Sequence, residues 1–350
     1  MQATKSKIPA KLKAVSWREK IWRQLGMTHQ PTVKLYSGYG HAEQLVLYGH
    51  VFSFAPLQRK KYSSFFLLNL LALVRLFIVK PIAGAGVILS TEKNEITSIT
   101  EPDGFIKLNW TSEVALAFGW HRASVTLFND ADAPVAEAFG SYLVPHSTQF
   151  GFISDIDDTF LVSHSANFRK KLALLFTRNP RSRNTFEGVV KHYQLLSLAH
   201  TVENEPNPFF YVSSSEWNLY DYILEFMTIN GLPKGVLLLS PIKTLINLFF
   251  FRQNKHGSKK DRIIRILEAF PKQKFILLGD SSQQDPAIYA SIAGSFPGRI
   301  YAVYIRDTFQ KKSRSVQQVL QKLEETGVPC CFFVHSAEAI LHSKKISLIN

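Results

Sequence analysis

The stretch that decides the fold is Phe150–Thr159, FGFISDIDDT. Its first half is a short apolar run with the length and bounds of a buried strand, and its second half carries three carboxylates in four positions, Asp155, Asp157 and Asp158. Like charges this close raise one another's pKa unless water or a cation intervenes. Such a cluster therefore sits on solvent or on a hard metal ion. Working outward, the C-terminal half repeats one pattern, an apolar strand followed by polar residues and then a helical segment. FFYV (209–212) leads to SSSEW, GVLLL (235–239) follows a helix at about 216–229, and FILLG (275–279) leads to DSSQQD. RIYAVYI (299–305) and CCFFV (330–334) close the series, with helices expected at 185–200, 258–269, 285–294, 313–326 and 336–343. Alternating strands and helices predict a mostly parallel sheet covered on both faces. In such sheets ligands bind beyond the strand C-termini. That rule selects Asp155 and Asp157 after the first strand, Ser213 after the second, and Asp280 with Asp285 after the FILLG strand. It also brings in the basic cluster Lys255, His256, Lys259 and Lys260 ahead of its helix. Carboxylates suit magnesium, which takes oxygen ligands. A hydroxyl and a lysine suit a phosphoryl group.

Before residue 147 the pattern differs. VKLYSG (33–38), QLVLYGHVF (44–52), GAGVILS (84–90), GFIKLNW (104–110), HRASVTLF (121–128) and AFGSYLV (138–144) are β-branched and aromatic runs punctuated by turn residues, as in Glu101-Pro102-Asp103-Gly104. They predict a small β-sandwich-like domain over 31–146, interrupted by an apolar helix near 65–79 and preceded by a basic segment at 1–30. Phe65–Val79 is 15 residues, roughly 22 Å as a helix and short of the ~30 Å bilayer core, so it is expected to pack on protein or lie in a lipid interface.

The 350 residues suit two domains, and 46% hydrophobic content permits a sizeable core. The formal net charge of +14 favours an anionic partner, and seven Lys and Arg among the first 23 residues suit an anionic membrane surface. No signal peptide is visible in the first 26 residues. Two adjacent cysteines, Cys330 and Cys331, allow no disulfide framework and no zinc spacing, and they read as part of a buried strand in a reducing compartment. His164 and His192 are expected at the surface. Ile242–Arg252, IKTLINLFFFR, reads either as a lipid-facing lid or as core.

A bare D-x-D-x-[TV] is a weak signal, but the ordered set of strand-Asp, strand-Ser, Lys-helix and strand-Gly-Asp-Ser is specific. It resembles the haloacid-dehalogenase superfamily, an α/β Rossmannoid fold. More closely, GFISDIDDT (151–159), TFEGV (185–189), NPFFYVSSSEWNLYDYI (207–223), HGSKKDRIIRIL (256–267), LLGDSSQQDPAIYA (277–290) and PGRIYAVYIRD (297–307) resemble the catalytic domain of actin-patch-type phosphatidate phosphatases. The resemblance implies a catalytic domain over 147–350, with Asp155 as nucleophile and Asp157 as general acid and base. It implies that Ser213 orients the phosphoryl group and Lys259 neutralises it. Magnesium would be held by Asp155, Asp280, the backbone carbonyl of Asp157, and Asp285 ligating or supporting. His-Lys is usually adjacent before this helix in the family; here Gly257-Ser258 separates His256 from Lys259, so Lys260 competes with Lys259, although the register to Ile263 favours Lys259. The implied function is a phosphoric monoester hydrolase converting phosphatidate to diacylglycerol. The protein would be cytoplasmic and peripheral at an anionic membrane, with no nucleic-acid partner. Two other readings fit the residues: a soluble phosphatase of the same superfamily acting on a nucleotide, sugar phosphate or phosphoprotein, and a phosphatidate-binding module without turnover.

Overall fold

The computed structural model describes residues 26–28, 30–56, 74–92, 94–156, 188–245, 258–281, 284–307 and 314–350. They fall into two compact units, Met1–Val144 with Pro241–Asn254, and Pro145–Ser240 with Lys255–Asn350. Residues 1–25 of the N-terminal basic segment, residues 65–73 of the expected apolar helix and residues 246–252 of the expected lid lie outside the described residues. Of that helix, 74–76 are helical, and no described helix is long and apolar enough to cross a membrane.

The first unit is built from β1 (Met27–Thr28), β2 (Thr32–Leu35), β3 (Gly38–His41), β4 (Gln44–Pro56), β5 (Lys80–Pro81), β6 (Gly86–Ser90), β7 (Glu95–Ile99), β8 (Phe105–Trp110), β9 (Gly119–Phe128) and β10 (Pro134–Val144). They form one connected ten-stranded sheet in the order β1-β4-β3-β10-β9-β6-β7, with β2, β5 and β8 also paired to β4. Pairing is antiparallel except between β3 and β10. All six runs read from the sequence contain strands. Four further strands were not read. β7, EITSI, is too polar to stand out, and β1 and β5 are two residues long and exist only through pairing with β4. Alternation along β6 and β8 sends Val87, Leu89, Ile106 and Leu108 into one core with Leu45, Leu47, Val51, Val125 and Leu127. The other face of β4 is buried as well, through Val46, Tyr48, His50 and Phe52, so this strand departs from simple alternation. Gly104 turns the chain into β8 at φ +74°, and a Cβ there would stand 2.7 Å from the Val51 carbonyl oxygen, so both backbone conformation and space call for glycine.

The second unit has six parallel strands: β11 (Gly151–Asp155), β12 (Phe209–Glu216), β13 (Gly235–Ser240), β14 (Phe275–Asp280), β15 (Ile300–Arg306) and β16 (Cys330–Phe333). Their order is β13-β12-β11-β14-β15-β16. The helices are α1 (Val189–Ser197), α2 (Tyr220–Ile229), α3 (Lys259–Ala269), α4 (Asp285–Ser295), α5 (Arg314–Glu325) and α6 (Ser336–Lys345). Every residue of β11 and β14 is buried, as expected for strands covered on both faces. From β11 the chain builds outward through β12 and β13, then crosses to β14 on the other side. This reversal leaves a crevice at the C-terminal ends of β11 and β14, where open α/β sheets bind ligands.

His192 is a correction to the sequence reading. It is 2% exposed, its ring lies edge-on to Tyr304, and its Nε2 is 3.0 Å from the Ser343 hydroxyl. Burial lowers its pKa to about 3, so it is neutral. The histidine lies on the face of α1 that packs toward the sheet, along with Val189, Tyr193 and Leu196. Cys330 and Cys331 are buried in β16, where desolvation pushes both thiols up to about 12.

Candidate active site

The crevice gathers charge from three directions. Asp155 ends β11, Asp280 ends β14 and Asp285 begins α4, and all three are fully buried. One carboxylate oxygen from each lies within 4.8 Å of the other two. The local chemistry that brings them together is specific. Pro286, in the first turn of α4, presets the helical φ just after Asp285. Asp285 is the first helical residue rather than the cap, which is Gln284. Its Oδ2 accepts from the Asp280 N–H at 3.4 Å. Gly279 makes this approach possible, because a Cβ there would lie 2.5 Å from Asp285 Oδ2 and 2.9 Å from the Tyr289 ring. Tyr289 in turn donates to the Leu278 carbonyl at 2.9 Å and ties α4 to β14.

Lys259 comes from α3. Ser258 and Asp261 cap that helix reciprocally, the Ser258 N–H donating to Asp261 Oδ2 at 2.6 Å and the Asp261 N–H to the Ser258 hydroxyl at 3.3 Å. The cap sets the first turn, and the buried stripe Lys259, Arg262, Ile263, Ile266, Leu267 faces the sheet. Lys259 Nζ lies 2.8 Å from Asp155 Oδ1 and also donates to Asp285 Oδ1. Lys260 points elsewhere, donating to the Ser291 hydroxyl at 2.6 Å, so of the two candidate lysines Lys259 is the one facing the acids.

The electrostatics follow from burial. Desolvation pushes the Asp155 carboxyl above its usual range, the Lys259 ammonium pulls it down, and Asp285 pushes it up again; the balance is upward. Burial alone would lower Lys259, but the carboxylates of Asp155 and Asp285 reverse this and hold the ammonium above the usual lysine range. Three carboxylates against one ammonium leave these four groups net negative in a desolvated place. An all-oxygen donor set with that deficit fits a hard divalent cation. A second tier holds the strand ends. The Ser154 hydroxyl donates to the Asp155 carbonyl at 2.8 Å and lies 2.8 Å from the Tyr193 hydroxyl. The Ser281 N–H donates to the Arg306 carbonyl at 2.9 Å, and the Asp307 N–H to Phe333 at 2.7 Å.

Of the residues selected from sequence, Asp155, Asp280, Asp285 and Lys259 thus converge. Ser213 is fully buried, one residue beyond the register pair Val212–Asp155, and its oxygen accepts from the Ser215 N–H at 2.9 Å. Asp157, Asp158, Thr159, Lys255 and His256 lie outside the described residues. Two basic residues were not selected. Arg262 is 7% exposed and sits on the apolar stripe of α3, a signal available from spacing alone. Arg306 is the register partner of Asp280, with its guanidinium lowered by burial to about 10 and hence still charged at neutral pH.

The unit is thus an α/β domain with clustered acids and a lysine at its strand C-termini, the edge where such sheets bind ligands. Residues 150–307 match the family described as phosphatidate phosphatase APP1, catalytic domain. The chain is 33% identical to the phosphatidate phosphatase APP1 of Saccharomyces cerevisiae over 178 residues, covering 49% of this chain and 28% of that protein. It is 25% identical over 282 residues to an uncharacterized protein of Schizosaccharomyces pombe, covering 77% of this chain and 44% of that one. The chain therefore spans less than half the length of either relative. Among solved structures, a carbohydrate acetylesterase from Xanthomonas citri aligns over 87% of this chain and 68% of its own with 12% identity and a TM-score of 0.30, too low to carry an argument.

Proposed function

We propose that the chain is a magnesium-dependent phosphomonoesterase of the haloacid-dehalogenase type whose substrate is phosphatidate, hydrolysed to diacylglycerol through an aspartyl-phosphate on Asp155. The observation that carries this reading is the buried cluster of Asp155, Asp280 and Asp285, with Lys259 paired to Asp155 and Asp285. Asp155, Asp280 and Asp285 are the residues that would hold the magnesium ion, with the Asp157 carbonyl expected from the family resemblance. When bound, the ion supplies the positive charge that lets an anionic nucleophile approach an anionic ester.

The chain's own residues do the rest. The Asp155 carboxylate attacks phosphorus, forming the acyl phosphate as the ester oxygen departs. Asp157, two residues on, protonates that oxygen and then takes a proton from the water that hydrolyses the acyl phosphate. Lys259 stays protonated because two carboxylates flank it, so it neutralises charge on the transferring group and does not act as a base. Ser213, on the neighbouring strand, orients the phosphoryl oxygens. Burial of Asp155, Ser213, Lys259, Asp280 and Asp285 limits bulk water that would compete with the Asp155 carboxylate for phosphorus.

The lipid identity of the substrate rests on the family match and the yeast relative's name. The net charge of +14 and the apolar-basic stretches at 65–79 and 242–252 support peripheral association with an anionic bilayer. The test is release of inorganic phosphate by the purified chain across phosphatidate, lysophosphatidate and soluble phosphomonoesters, with and without magnesium. Phosphatidate should be cleaved fastest, EDTA should silence the reaction and magnesium restore it. Asp155→Asn should lower turnover by at least ~10³-fold with an unchanged melting temperature. Near-wild-type turnover by Asp155→Asn would end the mechanism; cleavage of soluble esters alone would move the substrate to the aqueous phase; tight phosphatidate binding with no release would make the chain a binding module.

A further inference from the structure

Arg262 follows Lys259 by one turn of α3, on the same buried stripe. A guanidinium taken out of water needs polar partners, since an uncompensated buried charge is costly. Its Nη2 donates to the Ser213 carbonyl oxygen at 3.0 Å and reaches the Ser240 hydroxyl at 3.4 Å. These two acceptors sit on neighbouring strands, Ser213 within β12 where its register slips and Ser240 at the end of β13.

The strand ladder is irregular at Ser213. β11 pairs with β12 through Asp155–Val212, and the register between β12 and β13 slips between Val212 and Glu216. Ser213 falls in the slipped stretch and is fully buried. Side chains contribute here: the Ser213 hydroxyl accepts from the Ser215 N–H, and Arg262 donates to the Ser213 carbonyl. One capped helix thus delivers Lys259 to the acids and Arg262 to the backbone of the serine.

We propose that Arg262 is a positioning residue, whose guanidinium holds the irregular end of β12 so that the Ser213 hydroxyl is set at a defined distance from Asp155. This rests on the phosphohydrolase reading given above and adds to it a residue that acts through Ser213. Lysine is an incomplete substitute, because its ammonium ends one bond short of the Nη2 that makes both contacts and is more strongly hydrated than a guanidinium. Methionine keeps the packed stem and removes the donor that Arg262 offers to the Ser213 carbonyl and the Ser240 hydroxyl.

The experiment measures kcat and KM of the full chain on phosphatidate in detergent micelles with magnesium. It compares wild type, Arg262→Met, Arg262→Lys, Ser213→Ala and the double variant Ser213→Ala/Arg262→Met, with a thermal melt of each. The expected result is a kcat loss of ~10–100-fold for Arg262→Met, the size of a lost charge-assisted bond, with KM changed by less than about threefold. Arg262→Lys should recover part of that loss. In the Ser213→Ala background the methionine change should cost less than about threefold more, because two residues acting as one unit are not additive. Full multiplication of the two single losses would overturn the proposal, since it would mean that Arg262 acts elsewhere. So would an Arg262→Met enzyme with at least half the wild-type kcat. Should Arg262→Met fail to fold, the lysine variant carries the test: a kcat indistinguishable from wild type overturns the proposal, and a several-fold loss at unchanged KM supports it. A wild-type chain inactive on every phosphomonoester, with or without magnesium, would remove the phosphohydrolase reading and this proposal with it, an outcome separable from any result on position 262.

Discussion

The two sheets of this protein use polarity in opposite ways. In the ten-stranded sheet, β6 and β8 alternate, with Val87, Leu89, Ile106 and Leu108 into the core and Ser90, Lys107 and Asn109 on the other face. In the six-stranded sheet, β11, β14 and most of β12 are buried on both faces. Solvent is then no outlet for polar side chains along the strands, and they collect at the C-terminal edge, where Asp155, Ser213, Glu216, Asp280 and Arg306 are all buried. Two-sided cover therefore concentrates charge in one desolvated line, where charges interact more strongly than in water. One-sided cover spreads polarity over a surface and leaves it weak.

The largest effect expected from this contrast separates two neighbouring lysines. Lys259→Met should lower phosphate release by ~10²-fold or more, because it strips the ammonium that pairs with both Asp155 and Asp285, whereas Lys260→Met should stay within about twofold. Equal losses at the two positions in a steady-state assay would break the assignment. In the other sheet, Leu127→Ala should destabilise the chain by ~2–5 kcal/mol through a cavity in the apolar core, read as a lowered denaturant midpoint. A smaller effect concerns acid. The folded pKa of His192 is depressed to about 3 by burial, so between that value and ~6.5 the unfolded chain binds the extra proton. This contribution to stability is complete above ~6.5 and is lost as pH falls toward 3, with a slope of at most ~1.4 kcal/mol per pH unit. His192→Gln should flatten the slope of stability against pH between 4 and 6; an unchanged slope in urea titrations would show that the histidine is not the acid-sensitive group. Last, Phe139 on β10 is 78% exposed, and Phe139→Ser should shift stability by no more than ~0.5 kcal/mol in the same titration.

Much of the second unit was legible before any coordinates. Apolar runs of four to seven residues followed by Asp or Ser announce a covered parallel strand and its functional edge together, and all six expected strands and six expected helices are present to within a few residues. The first unit was read less completely because its short strands owe their existence to partners: β1 and β5 are two residues each and have no periodicity to detect. His192 was misplaced because a single histidine in a helix carries no sign of what packs over it. Arg262 was overlooked although its place on the buried stripe of α3 was visible, because a charged residue is read as surface until its acceptors are known.

What the sequence determined by itself is the order of the chemistry along the chain: strand-Asp, strand-Ser, capped helix with Lys, strand-Gly-Asp, helix with Asp-Pro. Local rules suffice for that, since strand length, helix caps and the space left by Gly279 depend on near neighbours. The tertiary structure decided which of these groups meet. Asp155 and Asp285 are 130 positions apart, and the reversal of strand order between β11 and β14 brings them onto one ammonium and chooses Lys259 over Lys260. The reason is that charge–charge energy depends on distance and on the loss of water, and neither quantity is written in the spacing of residues along a chain.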